Sequence, residues 1–389
     1  MSARVRTGLE SLLGKPGILK GSRVGLVANP ASVDADLVHA SVLLHRSRGF
    51  KLVALFGPEH GVWANAQDLV EVEDGRDPVT GLPVHSLYGR TRIPTEATLE
   101  GIDTVVVDLQ DVGARYYTFV YTMLHVLEAC ARFGRRVLVL DRPNPLGGES
   151  LEGNILDPAY RSFVGLHSLP ARHGMTIGEL ALLFRDERGL DVDLKVIPMR
   201  GWRRKMHFES TGLPWVPTSP NMPTVDTAFV YPGGCLIEGT NLSEGRGTTR
   251  PFEFVGAPWL DPWALAADLT KARLPGVRFR PAFFTPVAQK HAGRLCGGVQ
   301  VHVTDRKGFP AYFTYLQIIA SARAQDPGQF AWRDPPYEYE YVKRPFDILC
   351  GTDVIRRTIE ARTPVKSLLP SWSRDLRAFT RRRRPHLLY

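Results

Sequence analysis

The amino-acid sequence predicts an α/β fold in which a doubly wound, mostly parallel sheet is followed by a smaller α/β domain. Three observations predict it. Short β-branched runs recur through the first half of the chain, helical patterns fill the gaps between them, and from about residue 200 Pro- and Gly-rich connections lead into a second alternation.

The runs are RVGLVAN (23–29), KLVALFG (51–57), DTVVVDLQ (103–110), RRVLVLDR (135–142) and DLKVIPM (193–199). They are apolar along their length rather than alternating, as expected of strands buried on both faces of a parallel sheet. The intervening segments are long enough for crossover helices. Thr176 and Glu179 have capping-box spacing, with Ile177, Leu180, Ala181 and Phe184 following at helical intervals. Tyr117, Val120, Tyr121 and Leu124 form a stripe that reads as a core face. The segment YPGGCLIEGTNLSEGRGTTRPFE (231–253) has no apolar period and is expected to be a long loop, a form often used for binding. Beyond Trp259, VRFRPAFFTPV (277–287) and GGVQVHVTD (297–305) read as strands and AYFTYLQIIASARAQ (311–325) as a helix. The division falls at 1–257 and 258–389, giving the second unit about 130 residues, an ordinary domain size.

Composition narrows the function. The net charge is +9, and Arg381, Arg382, Arg383 and Arg384 supply four of those charges as a tail expected to be solvated. The other basic residues are scattered, which disfavours nucleic acid as a partner. No apolar run is long enough for membrane insertion, and the first residues lack the apolar stretch of an export signal, so the chain is expected to be cytoplasmic unless a leader was trimmed. The four cysteines are widely spaced, arguing against a zinc site or a disulfide framework. Neither G-x-G-x-x-G nor a Walker-type phosphate loop occurs, which disfavours a nucleotide; no cofactor and no metal is expected.

Doubly wound sheets bind ligands beyond the carboxyl ends of their strands. That rule collects Asn29, then Glu59 and His60, then Asp108, Asp111 and Arg115, then Asp141, Arg142 and Asn144 at one edge. Two carboxyls across a cleft are the recurring equipment of glycoside hydrolysis. Glu59, in FGPEHG, and Glu244, in NLSEGRGTT, are the candidates, each presented by a turn that proline or glycine shapes.

The succession FGPEHG, DLQDVGARYYTFVYTM, DRPNPLGG, GLHSLPARHGMTIGEL, SPNMP, YPGGCLIEGTNLSEGRGTTRPFE and PFDILCGTD resembles the exo-β-N-acetylmuramidase family over almost the whole chain. The resemblance implies a Rossmann-like first domain, a smaller second domain closing the active-site cleft, and release of terminal β-linked N-acetylmuramic acid from the non-reducing end of peptidoglycan fragments, in cell-wall recycling. It implies Glu59 and Glu244 as the catalytic pair; Glu238, in the same stretch, is grouped with the substrate-binding residues, its alternative being to organise the loop. That sugar carries a lactyl carboxylate, which a guanidinium grips through both oxygens; Arg115, Arg172 and Arg246 are the candidates. Tyr116, Asn221 and Asn241 are expected to contact the saccharide, with His60, Asp108, Asp111 and His173 around it. A metal-dependent hydrolase using Glu59, His60, Asp108, Asp111 and His173 is one alternative. A catalytically silent cell-wall-binding protein is the other.

Overall fold

The computed structural model of the chain describes residues 4–67 and 70–389. Its strands are β1 (Arg23–Ala28), β2 (Lys51–Gly57), β3 (Gly75–Arg76), β4 (Pro83–Ser86), β5 (Thr104–Asp108), β6 (Arg136–Leu140), β7 (Glu152–Ile155), β8 (Pro170–Arg172) and β9 (Leu194–Ile197), followed by β10 (Phe254–Ala257), β11 (Val277–Phe284) and β12 (Cys296–Val303). Seven of them make one sheet in the order β3-β4-β2-β1-β5-β6-β9. Every neighbouring pair in it is parallel except β3 with β4. β7 and β8 form a small antiparallel pair, and β10-β12-β11 an antiparallel three-stranded sheet.

All five strands predicted in the first half lie in the large sheet, and their apolar character has the expected cause. Val105 and Val107 pack with Phe56, Val137 and Val139 on one face, under helices Phe119–Phe133 and Ile177–Arg188. Val106 packs with Leu26, Leu55 and Leu138 on the other, beneath Leu9, Leu12 and Leu44. A strand buried on both sides has no polar face to show. Thr176 and Glu179 close both halves of the predicted capping box.

β1 lies between β2 and β5, so strand order reverses direction across it. The loops leaving β2 and β5 therefore flank the carboxyl end of β1, where doubly wound folds place their ligands.

Two expectations need correction. The stretch from Tyr231 is not a loop throughout: helix Val225–Gly234 runs into it and a 3₁₀ turn, Cys235–Gly239, continues it. Residues 227–239 are buried without a break, so no apolar and polar faces alternate and the helical period vanishes from the sequence. Gly233 permits the approach, because a Cβ there would come within 2.2 Å of the Ala311 carbonyl oxygen. The second correction is the arginine run, which closes helix Leu369–Arg383; Arg381 and Arg384 are exposed as expected, but the two arginines between them are not free in solvent. Arg383 is buried and donates to the carbonyls of Gly148, His173 and Gly174, while Arg382 pairs with Glu187 at 2.7 Å. Beyond it, the Tyr389 hydroxyl donates to Asp141 at 2.7 Å and accepts from the Met199 amide.

Among the described residues, no helix is long and apolar enough to cross a membrane.

Candidate active site

β2 ends in the turn Pro58–Gly61, closed by the Gly61 amide on the Pro58 carbonyl at 2.8 Å. His60 (φ 70°) and Gly61 (φ 82°) are both left-handed, a conformation that costs a non-glycine residue energy and collects at functional sites. The turn aims Glu59 and His60 into a cavity of about 50 Å³. Thr118, in the loop between β5 and helix Phe119–Phe133, donates its hydroxyl to Glu59 Oε2 at 2.6 Å. His60 Nδ1 lies 3.0 Å from the Ala66 carbonyl, which only accepts, so Nδ1 carries the proton and Nε2 is left for the cavity.

The same loop supplies Tyr116 and Tyr117, both buried. The Tyr116 hydroxyl donates to the Pro232 carbonyl, and that of Tyr117 meets Thr218. Across the cavity stand Tyr231, Cys235, Glu238, Arg246 and Phe252; Ser219 and Asn221 come from a third segment and Tyr337 and Glu338 from a fourth.

The glutamates are not equivalent. Glu238 accepts from Arg246 Nη2 at 2.9 Å and from the Tyr337 hydroxyl at 2.7 Å. Glu244 is 3% exposed and does not line the cavity; it sits behind Arg246, 3.3 Å from Nε, with Lys290 Nζ at 2.8 Å. Lys290 also donates to the Ile237 and Thr240 carbonyls, and its charge is the strongest influence that favours the ionised Glu244. Burial pushes the Glu244 carboxyl up, but Lys290 and Arg246 outweigh it and hold the group below the usual carboxylate range. Glu244 is thus a carboxylate, suited to stabilise charge and not to donate a proton.

Of the residues predicted to form the site, the cavity gathers Glu59, His60, Tyr116, Asn221, Glu238 and Arg246. The others go elsewhere for identifiable reasons. Arg115, fully buried, donates through both terminal nitrogens to the carbonyls of Asn154, Leu169, Leu349 and Cys350, so it braces three backbone segments and keeps no paired edge for a substrate. Arg172 is taken by Glu152 at 2.7 Å and the Leu146 carbonyl. Asp108 is held through both oxygens by Arg142, and Asp111 by the Gly113 amide, with His173 Nε2 at 3.4 Å. Asn241 clasps the backbone of Gln329 and Ala331. Asp141, also expected at the edge, accepts from Thr176, Gly178 and Tyr389. The five residues of the metal-hydrolase alternative are therefore not one cluster, and among the described residues no three His, Cys, Asp or Glu side chains are grouped to hold a metal ion.

Thr118, Tyr231, Tyr337 and Glu338 escaped sequence reasoning. The last two belong to YEYEY (337–341), whose alternation of aromatic and acid was the available signal.

Known proteins resemble this chain in sequence and in fold. Residues 24–226 match the family model described as exo-β-N-acetylmuramidase NamZ, N-terminal, and residues 229–389 its C-terminal counterpart. The peptidoglycan β-N-acetylmuramidase NamZ of Bacillus subtilis (strain 168) is 48% identical over 390 residues, which cover 99% of this chain and 92% of that protein. A crystal structure of a DUF1343 family protein from Bacteroides fragilis NCTC 9343 superposes with a TM-score of 0.90 at 36% identity, over 99% of each chain. A second DUF1343 protein of that organism gives 0.78 at 32% identity, over 100% of this chain and 99% of its own. With both family models matched in chain order and nearly the whole length aligned, the chain belongs to the exo-β-N-acetylmuramidase NamZ family.

Proposed function

We propose that Glu59 is the general acid of this glycosidase and that Glu244 serves it as a fixed negative charge behind Arg246. The chain is an exo-β-N-acetylmuramidase that removes terminal N-acetylmuramic acid from peptidoglycan fragments. The observation that carries the assignment is the position of Glu59: of the two predicted glutamates, it is the one in the cavity wall, with a hydroxyl fixing its carboxyl. A protonated carboxyl there can give its proton to the leaving oxygen as the glycosidic bond breaks.

An N-acetyl sugar also carries its own nucleophile, the acetamido oxygen, so one acid together with an oriented acetamido group suffices for the first step. Glu244 then need not reach the sugar. Its ionised carboxylate holds Arg246 in the wall, where the guanidinium also binds Glu238. A second reading has direct support, because Glu238 shares the cavity with Glu59 and can be the carboxylate that meets the substrate.

Glu59→Gln should lose far less rate on a nitrophenyl glycoside, whose leaving group needs no proton, than on the natural disaccharide. Equal losses on both would remove Glu59 from the acid's place. Glu238→Gln measured beside Glu244→Gln separates the two readings of the second carboxylate. We further infer that the cleft between the two predicted domains, 1–257 and 258–389, is the substrate's way in.

A further inference from the structure

A groove of about 410 Å³ opens beside the catalytic cavity, and Glu338 lines both. Its walls include Arg90, Arg92, Phe163 and Tyr339. The Arg92 guanidinium carbon lies 3.4 Å from the centre of the Tyr339 ring and 5.2 Å from that of Phe163. Stacking on aromatic faces fixes the plane of a guanidinium and leaves its N–H edge for an anion. Arg92 Nε is buried and has no hydrogen-bond partner, as is true of Arg115 and Arg172 Nε, but the terminal nitrogens of those two are taken by carbonyls and a carboxylate. Arg90, on the same stretch, is exposed.

The acids nearby are already engaged. Glu340 accepts from the Val342 and Lys343 amides, Glu338 from the Tyr88 hydroxyl, and Glu128 is paired with His125. The arginines that the sequence suggested as carboxylate readers are also engaged: Arg115 by four carbonyls, Arg172 by Glu152, and Arg246 by Glu238 and Glu244. A buried donor without a partner is costly, and a ligand that supplies the acceptor recovers that cost.

We propose that Arg92, held flat on Tyr339 and Phe163, grips a carboxylate of the saccharide through both oxygens and so sets the enzyme's preference for N-acetylmuramic acid. This rests on the muramidase reading of the cavity. The carboxylate has two possible sources, the lactyl arm of the sugar in the cavity or the same group on a sugar further along the leaving chain.

The test compares wild type, Arg92→Gln and Arg92→Lys on three substrates. They are the nitrophenyl glycoside of N-acetylmuramic acid, the same glycoside with its lactyl carboxyl converted to the amide, and a trisaccharide carrying N-acetylmuramic acid at both ends. A lactyl contact raises KM for the first substrate about ten- to hundred-fold in Arg92→Gln, leaves kcat within about twofold, and adds nothing on the amide. A contact with the leaving chain confines that rise to the trisaccharide. Arg92→Lys recovers little in either case, since the ammonium lacks the paired edge. An unchanged KM on both carboxylate substrates, a fall in kcat alone, or an equal penalty on the amide overturns the proposal. Wild type inactive on all three would instead overturn the muramidase reading itself.

Discussion

Glu59 owes its place to two backbone conformations rather than to its own side chain. The left-handed pair His60 and Gly61 turns the chain so that the carboxyl meets Thr118, and Pro58 stiffens the entry. That much is legible in the sequence, because Pro and Gly bracket the glutamate at the end of a strand. The surroundings of Glu244 are not: Lys290, its nearest cation, lies 46 residues away in a segment without a motif. Both glutamates read as open to the cleft, whereas Glu244 is sealed inside an ion cluster. Glu244→Gln should therefore cost stability as well as activity, about 3 kcal/mol, because it leaves buried positive charge uncompensated. Urea denaturation followed by tryptophan fluorescence would measure it; a loss of activity with full stability would contradict the role given to the cluster. Asp141 is the other buried carboxyl of consequence. Burial pushes it up to about 7 despite hydrogen bonds from Tyr389, Gly178 and Thr176, against 3.8 unperturbed. A group raised on folding stabilises the fold below its unfolded pKa, and that contribution is lost as pH rises through the folded value. Stability should fall between about pH 4 and pH 7, and Asp141→Asn should flatten that slope whatever its effect on absolute stability. An unaltered slope in the variant would assign the pH dependence to other groups.

At the scale of elements, the site is a meeting of loops on a rigid sheet. The loops after β2 and β5 bring Glu59, Thr118 and Tyr117, and the segments around Tyr231 and Tyr337 close over them. The parallel strands were readable because burial on both faces makes them apolar throughout. The same property hid helix Val225–Gly234, whose burial on every side removes its period, and Pro232 and two glycines then mimic a loop. The C-terminal run misled for a different reason: consecutive arginines read as solvated, and no local pattern shows that backbone carbonyls far along the chain will take them. Deleting residues 381–389 removes one partner each from Asp141, Glu179 and Glu187, through Tyr389, the Leu388 amide and Arg382. Truncation should destabilise the protein by about 3 to 5 kcal/mol, on the scale of breaking a buried polar network. Calorimetry would show a lowered Tm; an unshifted transition would mean the tail is as dispensable as its composition suggests.

Across the whole molecule, the hydrophobic core runs without interruption from Val27 under the large sheet to Phe379 in the last helix. The family models meet between residues 226 and 229, while the change in sequence pattern put the division at 257. Helix Val225–Gly234 spans the junction of the family models and forms a wall of the cavity through Tyr231, so both parts of the chain are needed to complete one site. This explains why the fold could be read from strands and helices one at a time, whereas the site could be read only in part: Glu59 and Glu338 are far apart in sequence and face one cavity. The most direct test is to incubate the protein with the disaccharide of N-acetylmuramic acid β-linked to N-acetylglucosamine and follow the products by mass spectrometry. Release of both free monosaccharides by the wild type, and their near absence with Glu59→Gln, is the predicted result; an intact disaccharide with wild type, or equal release by the variant, would contradict it.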